Sequence, residues 1–165
     1  MYNIRNAVLN DLIQINKIET ECFPIEEAAS LNSIKERIEI FSEGFLIMEI
    51  DNKIIGFING AATNDIVLND LMFEDMNKEH NPLGKNLVIF GVDISPDFQG
   101  KGYSKILMNA YIEEAKKNNR SKIILTCKKH LISYYESFGY ILHGLSNSVH
   151  GGSEWFDMVL DLDNK

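Results

Sequence analysis

The chain has 165 residues, enough for one domain with a sizeable core, and 45% hydrophobic with 24% charged residues is ordinary for a globular protein. A formal net charge of −8 argues against general nucleic-acid binding, which needs a basic footprint, and tilts substrate preference toward cations such as amines. The N-terminal stretch lacks the basic-then-apolar order of a signal peptide and no apolar run reaches membrane-spanning length, so no membrane partner is expected and cytoplasm is the expected compartment.

Residues 2–8 alternate apolar and polar side chains and are expected to form an edge or near-edge strand. Asn10 or Asp11 caps a helix with Leu12, Ile13, Ile15 and Ile18 on one stripe, running to about Glu21. Cys22-Phe23-Pro24 stops it, because proline restricts the residue before it. The acidic turn that follows contains Glu26 and Glu27 and leads to Ser30, the cap of a second helix buried through Ile34, Ile38 and Phe41. Glu43-Gly44 ends that element. Residues 45–50 and 53–61 form a hairpin about Asp51-Asn52, and Gly56 and Gly60 in its second arm mark a bulge or a close approach. Residues 62–85 are polar, acidic and irregular around a short amphipathic piece at 66–76. A connection this long within a compact domain suits either a substrate-side flap or a plain surface insertion.

The apolar, β-branched run from Leu87 through Ile94 reads as a buried strand, which Pro96 ends for want of an N–H. Gly100 and Gly102 follow, and Ile106, Leu107, Ala110 and Tyr111 then recur at helical spacing to about Lys117. Strand, glycine turn and helix aim several backbone N–H groups at one point. The helix dipole adds ~0.3–1 kcal/mol toward an anion, so a phosphate or pyrophosphate is the expected guest, with a ligand-free tight turn as the alternative. The spacing is not a Walker loop and falls short of the three-glycine dinucleotide fingerprint. Residues 122–126 form a strand joined by a right-handed crossover, 129–138 a short helix ending at Gly139, and 140–143 and 154–162 the last two strands. Cys22 and Cys127 stand in no metal-ligand spacing and are expected as packed thiols. The order βαα, three strands, α, β, α, β, β describes a mixed sheet with helices on its faces, an α+β or layered α/β domain.

Gln99, Gly102 and Ser104 resemble the Gln/Arg-x-x-Gly-x-Gly/Ala acetyl-CoA loop of the GNAT acetyltransferases, with serine at the last position. Ser133-Tyr134-Tyr135-Glu136-Ser137-Phe138-Gly139-Tyr140 is similar to the C-terminal block of that superfamily. Phe57-Ile58-x-Gly60, the long acidic segment, Cys127 with Leu131, Tyr134 and Tyr135, and Glu154-Trp155-Phe156-Asp157-Met158 resemble its arylalkylamine N-acetyltransferase branch. The resemblance covers nearly the whole chain. It implies a single N-acetyltransferase domain over residues 1–165, with a central strand that splays from the next. Acetyl-CoA is the implied co-substrate, with no metal. Its pantetheine arm is implied to bond the backbone of Val92, Asp93 and Ile94, and its pyrophosphate to sit on Gln99, Gly100, Lys101, Gly102, Tyr103 and Ser104. Lys101, Lys105, Lys128 and Lys129 are candidates to neutralise phosphate.

Tyr135 matches the family tyrosine that protonates the departing thiolate; a phenol of ordinary pKa, about 10, holds its proton at neutral pH. Tyr134 is expected in the core. The two strand histidines of the arylalkylamine branch correspond to Val88 and Phe90, which take no proton. The base is then sought among Glu26, Glu27, Asp93, His150 or a water chain, while Glu26 and Glu27 also suit an ammonium group and His130 a structural place at a helix start. The expected function is direct acetyl transfer to the primary amine of a small molecule. Its alternatives are a peptide or protein N-acetyltransferase and a non-catalytic acyl-CoA-binding sensor, as monomer or homodimer.

Overall fold

The computed structural model describes residues 1–70, 72 and 75–163. Among these, the strands β1 (Tyr2–Asn6), β2 (Phe45–Ile50), β3 (Lys53–Thr63), β4 (Asn86–Ile94), β5 (Lys122–Cys127), β6 (Ile141–Leu145) and β7 (Phe156–Asp161) form one sheet in the order β1-β2-β3-β4-β5-β7-β6. Neighbours are antiparallel except β4 and β5, which run parallel. The helices are α1 (Leu12–Cys22), α2 (Leu31–Ile40), α3 (Met76–Glu79), α4 (Tyr103–Lys117) and α5 (Ile132–Glu136).

Local chemistry explains most boundaries. The Ser30 hydroxyl accepts from Ser33 N–H at 3.1 Å and caps α2. Asp51 and Asn52 take φ of 50° and 64°, as a two-residue hairpin turn with the sheet's own twist requires. Asp11 does not cap α1 through its side chain; its carboxylate accepts from Val8 N–H at 2.8 Å and takes both ends of the Arg5 fork at 2.8 and 2.9 Å, which ties β1 to the helix start. Ile13, expected on the apolar stripe, is 70% exposed; the buried face of α1 is Ile15, Ile18 and Glu19.

The sheet is covered on both faces, as the alternation of β2 shows, with β3 switching phase at a bulge where Ile55 is the extra residue. Phe45, Ile47, Ile54 and Phe57 pack with Ile15 and Ile18 of α1 and Ile34 and Ile38 of α2. Leu46, Met48, Ile55 and Ile58 belong to the larger core, with Leu107, Met108 and Tyr111 of α4. A strand's period of two sends successive side chains to opposite layers.

One irregularity positions the site. Asn59 pairs with Gly91 but Gly60 pairs with Ile89, so Phe90 is an extra residue bulged out of β4. Bulges bend the strand that carries them. On its other side β4 pairs with β5 only from Asn86↔Lys122 to Val88↔Ile124, and from there the two strands diverge. Gly60 is required here by space: an added Cβ would lie 1.9 Å from the Val88 carbonyl oxygen and 2.9 Å from the Tyr111 hydroxyl. Gly60→Ala is therefore expected to cost about 3 kcal/mol or more by overpacking against backbone. That corresponds to a fall in Tm of roughly 6–12 °C, read by calorimetry.

The described part of residues 62–85, expected as a flap or insertion, is a connection packed against the core. Leu68, Met72 and Met76 are buried in it, and Arg120 donates to the carbonyls of Pro82 and Gly84. Leu71, Phe73 and Glu74 of its amphipathic piece lie outside the described residues. Among the described residues, no helix is long and apolar enough to cross a membrane.

Candidate active site

Two adjoining depressions open where β4 and β5 diverge. A groove of about 300 Å³ runs beside the glycine turn, between Phe98, Gly100, Gly102, Tyr103 and Ser104 on one side and Tyr134 on the other. A cleft of about 580 Å³ lies between the α1–α2 connection, the bulged part of β4 and the end of β5. Val92, Ile94, Gln99, Leu131 and Tyr135 line both, so they form the common wall.

The glycines in the turn answer to backbone angle. Gly100 and Gly102 have φ of 76° and 86°, and an added Cβ at either would meet nothing within 4 Å. The turn is thus open on its outer side. The first internal bond at the start of α4 runs from Ile106 N–H to the Gly102 carbonyl at 3.3 Å, so the amides of Tyr103, Ser104 and Lys105 precede it. Such a cradle fits a pyrophosphate. Lys105, next in sequence to the turn, and Lys129 are exposed, while Lys101 Nζ lies 5.6 Å from the centre of the Phe98 ring.

Several expected members sit differently. The Gln99 amide turns inward and donates to the Ile94 carbonyl at 2.8 Å, and the Cys22 thiol donates to the same oxygen at 3.1 Å. That carbonyl is therefore already engaged. Asp93 lines neither depression; it is 1% exposed and faces Glu19 and Arg37. Burial, then the Glu19 carboxylate, push its carboxyl well above the usual range, and its place away from both depressions leaves it out of reach of a reacting amine. Tyr134 is not a core aromatic: its hydroxyl is 2.6 Å from Ser104 Oγ on the groove wall. Glu26 is exposed and His130 lies at the cleft rim. Of the two positions lacking histidine, Val88 is buried in the core and only Phe90 lines the cleft.

Tyr135 stands on the common wall, held edge-on by Tyr134 and Tyr140 with ring centroids at 5.2 and 5.8 Å. Burial, with Cys127 and Tyr134 adding to it, raises its phenol further above the ordinary value, so the proton is firmly held. Glu27 and His150 also line the cleft. Glu27 Oε2 accepts from Lys128 Nζ at 2.8 Å and Ser153 Oγ at 2.9 Å. Burial alone would raise this carboxyl, but Lys128 and Ser153 outweigh it and hold it below the usual range. Lys128 is thereby committed to Glu27 and away from a phosphate. His150 Nε2 lies 2.9 Å from the Glu27 carbonyl oxygen. A carbonyl only accepts, so Nε2 carries the proton and Nδ1 is the basic nitrogen of the neutral ring. Trp155 Nε1 donates to the His150 carbonyl at 2.8 Å, and Gly151 packs so tightly that a Cβ there would lie 2.6 Å from Glu27 Cγ.

Sequence reasoning missed Glu19, Arg37, Lys128 and Trp155 as cleft-lining groups. A signal for two of them was present. Glu19 falls in the spacing Ile15, Ile18, Glu19, Cys22 and Arg37 in Ile34, Arg37, Ile38, Phe41, so each is a charge on a stripe that otherwise faces the core. Both cysteines are free thiols; burial pushes Cys22 up to about 12 and Cys127 to about 11. Among the described residues, no group of three or more His, Cys, Asp or Glu is arranged to hold a metal.

The Glu27–Lys128 contact makes a pH prediction. Because the folded carboxyl is depressed, its contribution is complete above the unfolded value, about 4.3 for glutamate, and is lost as pH falls through the folded one. Trp155 is the chain's one tryptophan, and its ring lies 5.7 Å from Lys128 Nζ. Its emission should therefore report a transition below the ordinary glutamate range, as Glu27 takes up its proton. Lys128→Met should move the change to higher pH; an unmoved transition would show that Lys128 does not set the Glu27 titration.

The model of the acetyltransferase (GNAT) family matches residues 12–140. The chain belongs to that family. An uncharacterized N-acetyltransferase, YkwB, from Bacillus subtilis (strain 168) is 28% identical over 120 residues, covering 67% of this chain and 53% of that protein. The chain spans about half or less of the length of the curated relatives it matches. The crystal structure of the loading GNATL domain of CurA from Lyngbya majuscula superposes with a TM-score of 0.87 at 16% identity, covering all of both chains (100% and 100%). YncA of Salmonella typhimurium, a putative acetyltransferase solved with its cofactor acetyl-CoA, superposes with a TM-score of 0.71 at 18% identity, covering 99% of this chain and 95% of that one. At such identities these likenesses speak for the fold.

Proposed function

We propose that this chain transfers the acetyl group of acetyl-CoA directly to the primary amine of a small molecule. The observation that carries this reading is the common wall: the groove beside the open glycine turn and the cleft meet at Tyr135. Acetyl-CoA supplies the activated acetyl group. Its pyrophosphate is assigned to the turn from Gln99 to Ser104, and its pantetheine arm to the backbone at Val92 and Asp93. Tyr135 gives its phenolic proton to the departing thiolate, a role that its firmly held proton suits. On the amine side, Glu27 holds the incoming ammonium and His150 Nδ1 takes its proton, in place of the histidines absent at Val88 and Phe90. Residues 57–60, 127–135 and 154–158 resemble the arylalkylamine branch, which together with Trp155 on the cleft wall favours an aromatic amine.

The test is thiol release from acetyl-CoA with a panel of arylalkylamines, polyamines, amino acids and short peptides. Release that depends on a small amine is the expected result. Release only with peptides would move the assignment to a peptide or protein N-acetyltransferase. No release, with acetyl-CoA still raising the melting temperature, would overturn transfer and leave an acyl-CoA-binding sensor.

A further inference from the structure

Two charged side chains on the cleft wall carry buried polar atoms with nothing to bind. Arg37 is 4% exposed, and its Nε has no hydrogen-bond partner. Its Nη1 donates to Asn59 Oδ1 at 3.1 Å, and the guanidinium lies 4.4 Å over the centre of the Phe90 ring. Those contacts commit one corner of the fork and one of its faces, leaving the Nε–Nη2 edge. Burial brings the group down to about 10, so it is still charged at neutral pH. The Glu27 side chain is 6% exposed; Lys128 and Ser153 take Oε2, while Oε1 is buried with no partner. Unpaired buried groups of this kind are costly, and two of them on one cleft call for a common explanation.

We infer that the cleft is shaped for an acceptor bearing a carboxylate as well as its amine, with the carboxylate on the Arg37 fork and the ammonium on Glu27 Oε1. The guanidinium edge offers two parallel donors in the geometry that a carboxylate accepts. Of the acids near Arg37, Asp93 has its carboxyl pushed well above the usual range by burial, while Glu19, with Oε2 accepting from Ala29 N–H at 2.8 Å, and Glu36, with Oε1 accepting from Met76 N–H at 2.9 Å, act on the guanidinium through space and take no hydrogen bond from its Nε. The two poles sort a zwitterion: the cation is drawn to Glu27, and the anion is turned away from it toward Arg37. The inference rests on the acetyl-transfer reading for the fate of the amine; binding itself does not require it.

The experiment compares matched pairs that differ by one carboxylate, phenylalanine with phenethylamine and γ-aminobutyrate with butylamine, so that the spacing of amine and acid is also sampled. Binding is measured by calorimetry with free CoA present, and thiol release from acetyl-CoA is followed in parallel. In at least one pair the carboxylate-bearing member should bind about tenfold tighter or more, as a charge-assisted hydrogen bond supports. Arg37→Lys, which retains the charge and removes the fork, should erase most of that difference, and Glu27→Gln should weaken both members of the pair. Because a buried arginine can matter for folding, each variant's melting temperature is recorded, and the unmodified protein's pairwise preference stands as evidence without any variant. Equal binding within every pair, or a preference for the carboxylate-free amine, overturns the inference. A carboxylate preference in binding without thiol release upholds the site and removes the transfer reading. Thiol release indifferent to the carboxylate does the reverse.

Discussion

Replacing Tyr135 by phenylalanine should lower kcat by about 10²–10⁴-fold, the usual contribution of a positioned general acid, and leave acetyl-CoA affinity little changed. The substitution removes one oxygen and keeps the ring. That ring is fixed by Tyr134 and Tyr140 and packs against the main core, so the common wall should survive. The lost group is the proton that a departing thiolate needs, and burial holds that proton more firmly than in a free phenol. Steady-state rates at saturating acetyl-CoA, set beside a calorimetric titration of the cofactor, separate chemistry from binding. An unchanged kcat would show that the thiolate leaves without help from Tyr135.

Gly102→Glu should abolish measurable acetyl-CoA binding. At this position φ is 86° and an added Cβ meets nothing within 4 Å, so the fold resists a side chain only through backbone angle. That strain costs about 1–2 kcal/mol for an L-residue. The larger effect falls on the ligand, because a carboxylate would stand where the turn's amides and the α4 dipole are aimed at a pyrophosphate. Gly102→Ala carries the same backbone strain without charge and serves as the comparison. Thermal shift with acetyl-CoA reads both; a shift in Gly102→Glu as large as in the unmodified protein would place the pyrophosphate elsewhere.

Much of this fold was legible because its signals are local. A period of two in residues 2–6, the Ser30 cap, the hairpin about Asp51-Asn52, and the strand, glycine turn and helix from Leu87 onward each depend on residues within a few positions of one another. Tyr135 and the glycine turn were legible in the same way, as contiguous blocks. The surroundings of Glu27 and Asp93 were not. Glu27 meets Lys128 and Ser153 across the fold, and its depressed carboxyl comes from partners 101 and 126 positions away. Asp93, a reasonable base on a strand next to a gap, is buried away from both depressions, and burial and then Glu19 of α1 raise its carboxyl above the usual range. Pairings between distant segments leave no periodic trace in the chain.

The order of elements, the open glycine turn and the position of Tyr135 on the helix before Gly139 were thus determined by the sequence alone, since propensity, capping and glycine's backbone freedom act over a few residues. Only the tertiary structure decided that Phe90 is bulged from β4, that the strands part beyond Val88 and Ile124, and that Arg37 and Glu27 reach one cleft. The physical reason is that strand register and the burial of a charge are settled by what lies across the sheet, and those neighbours are chosen by the packing of the whole chain.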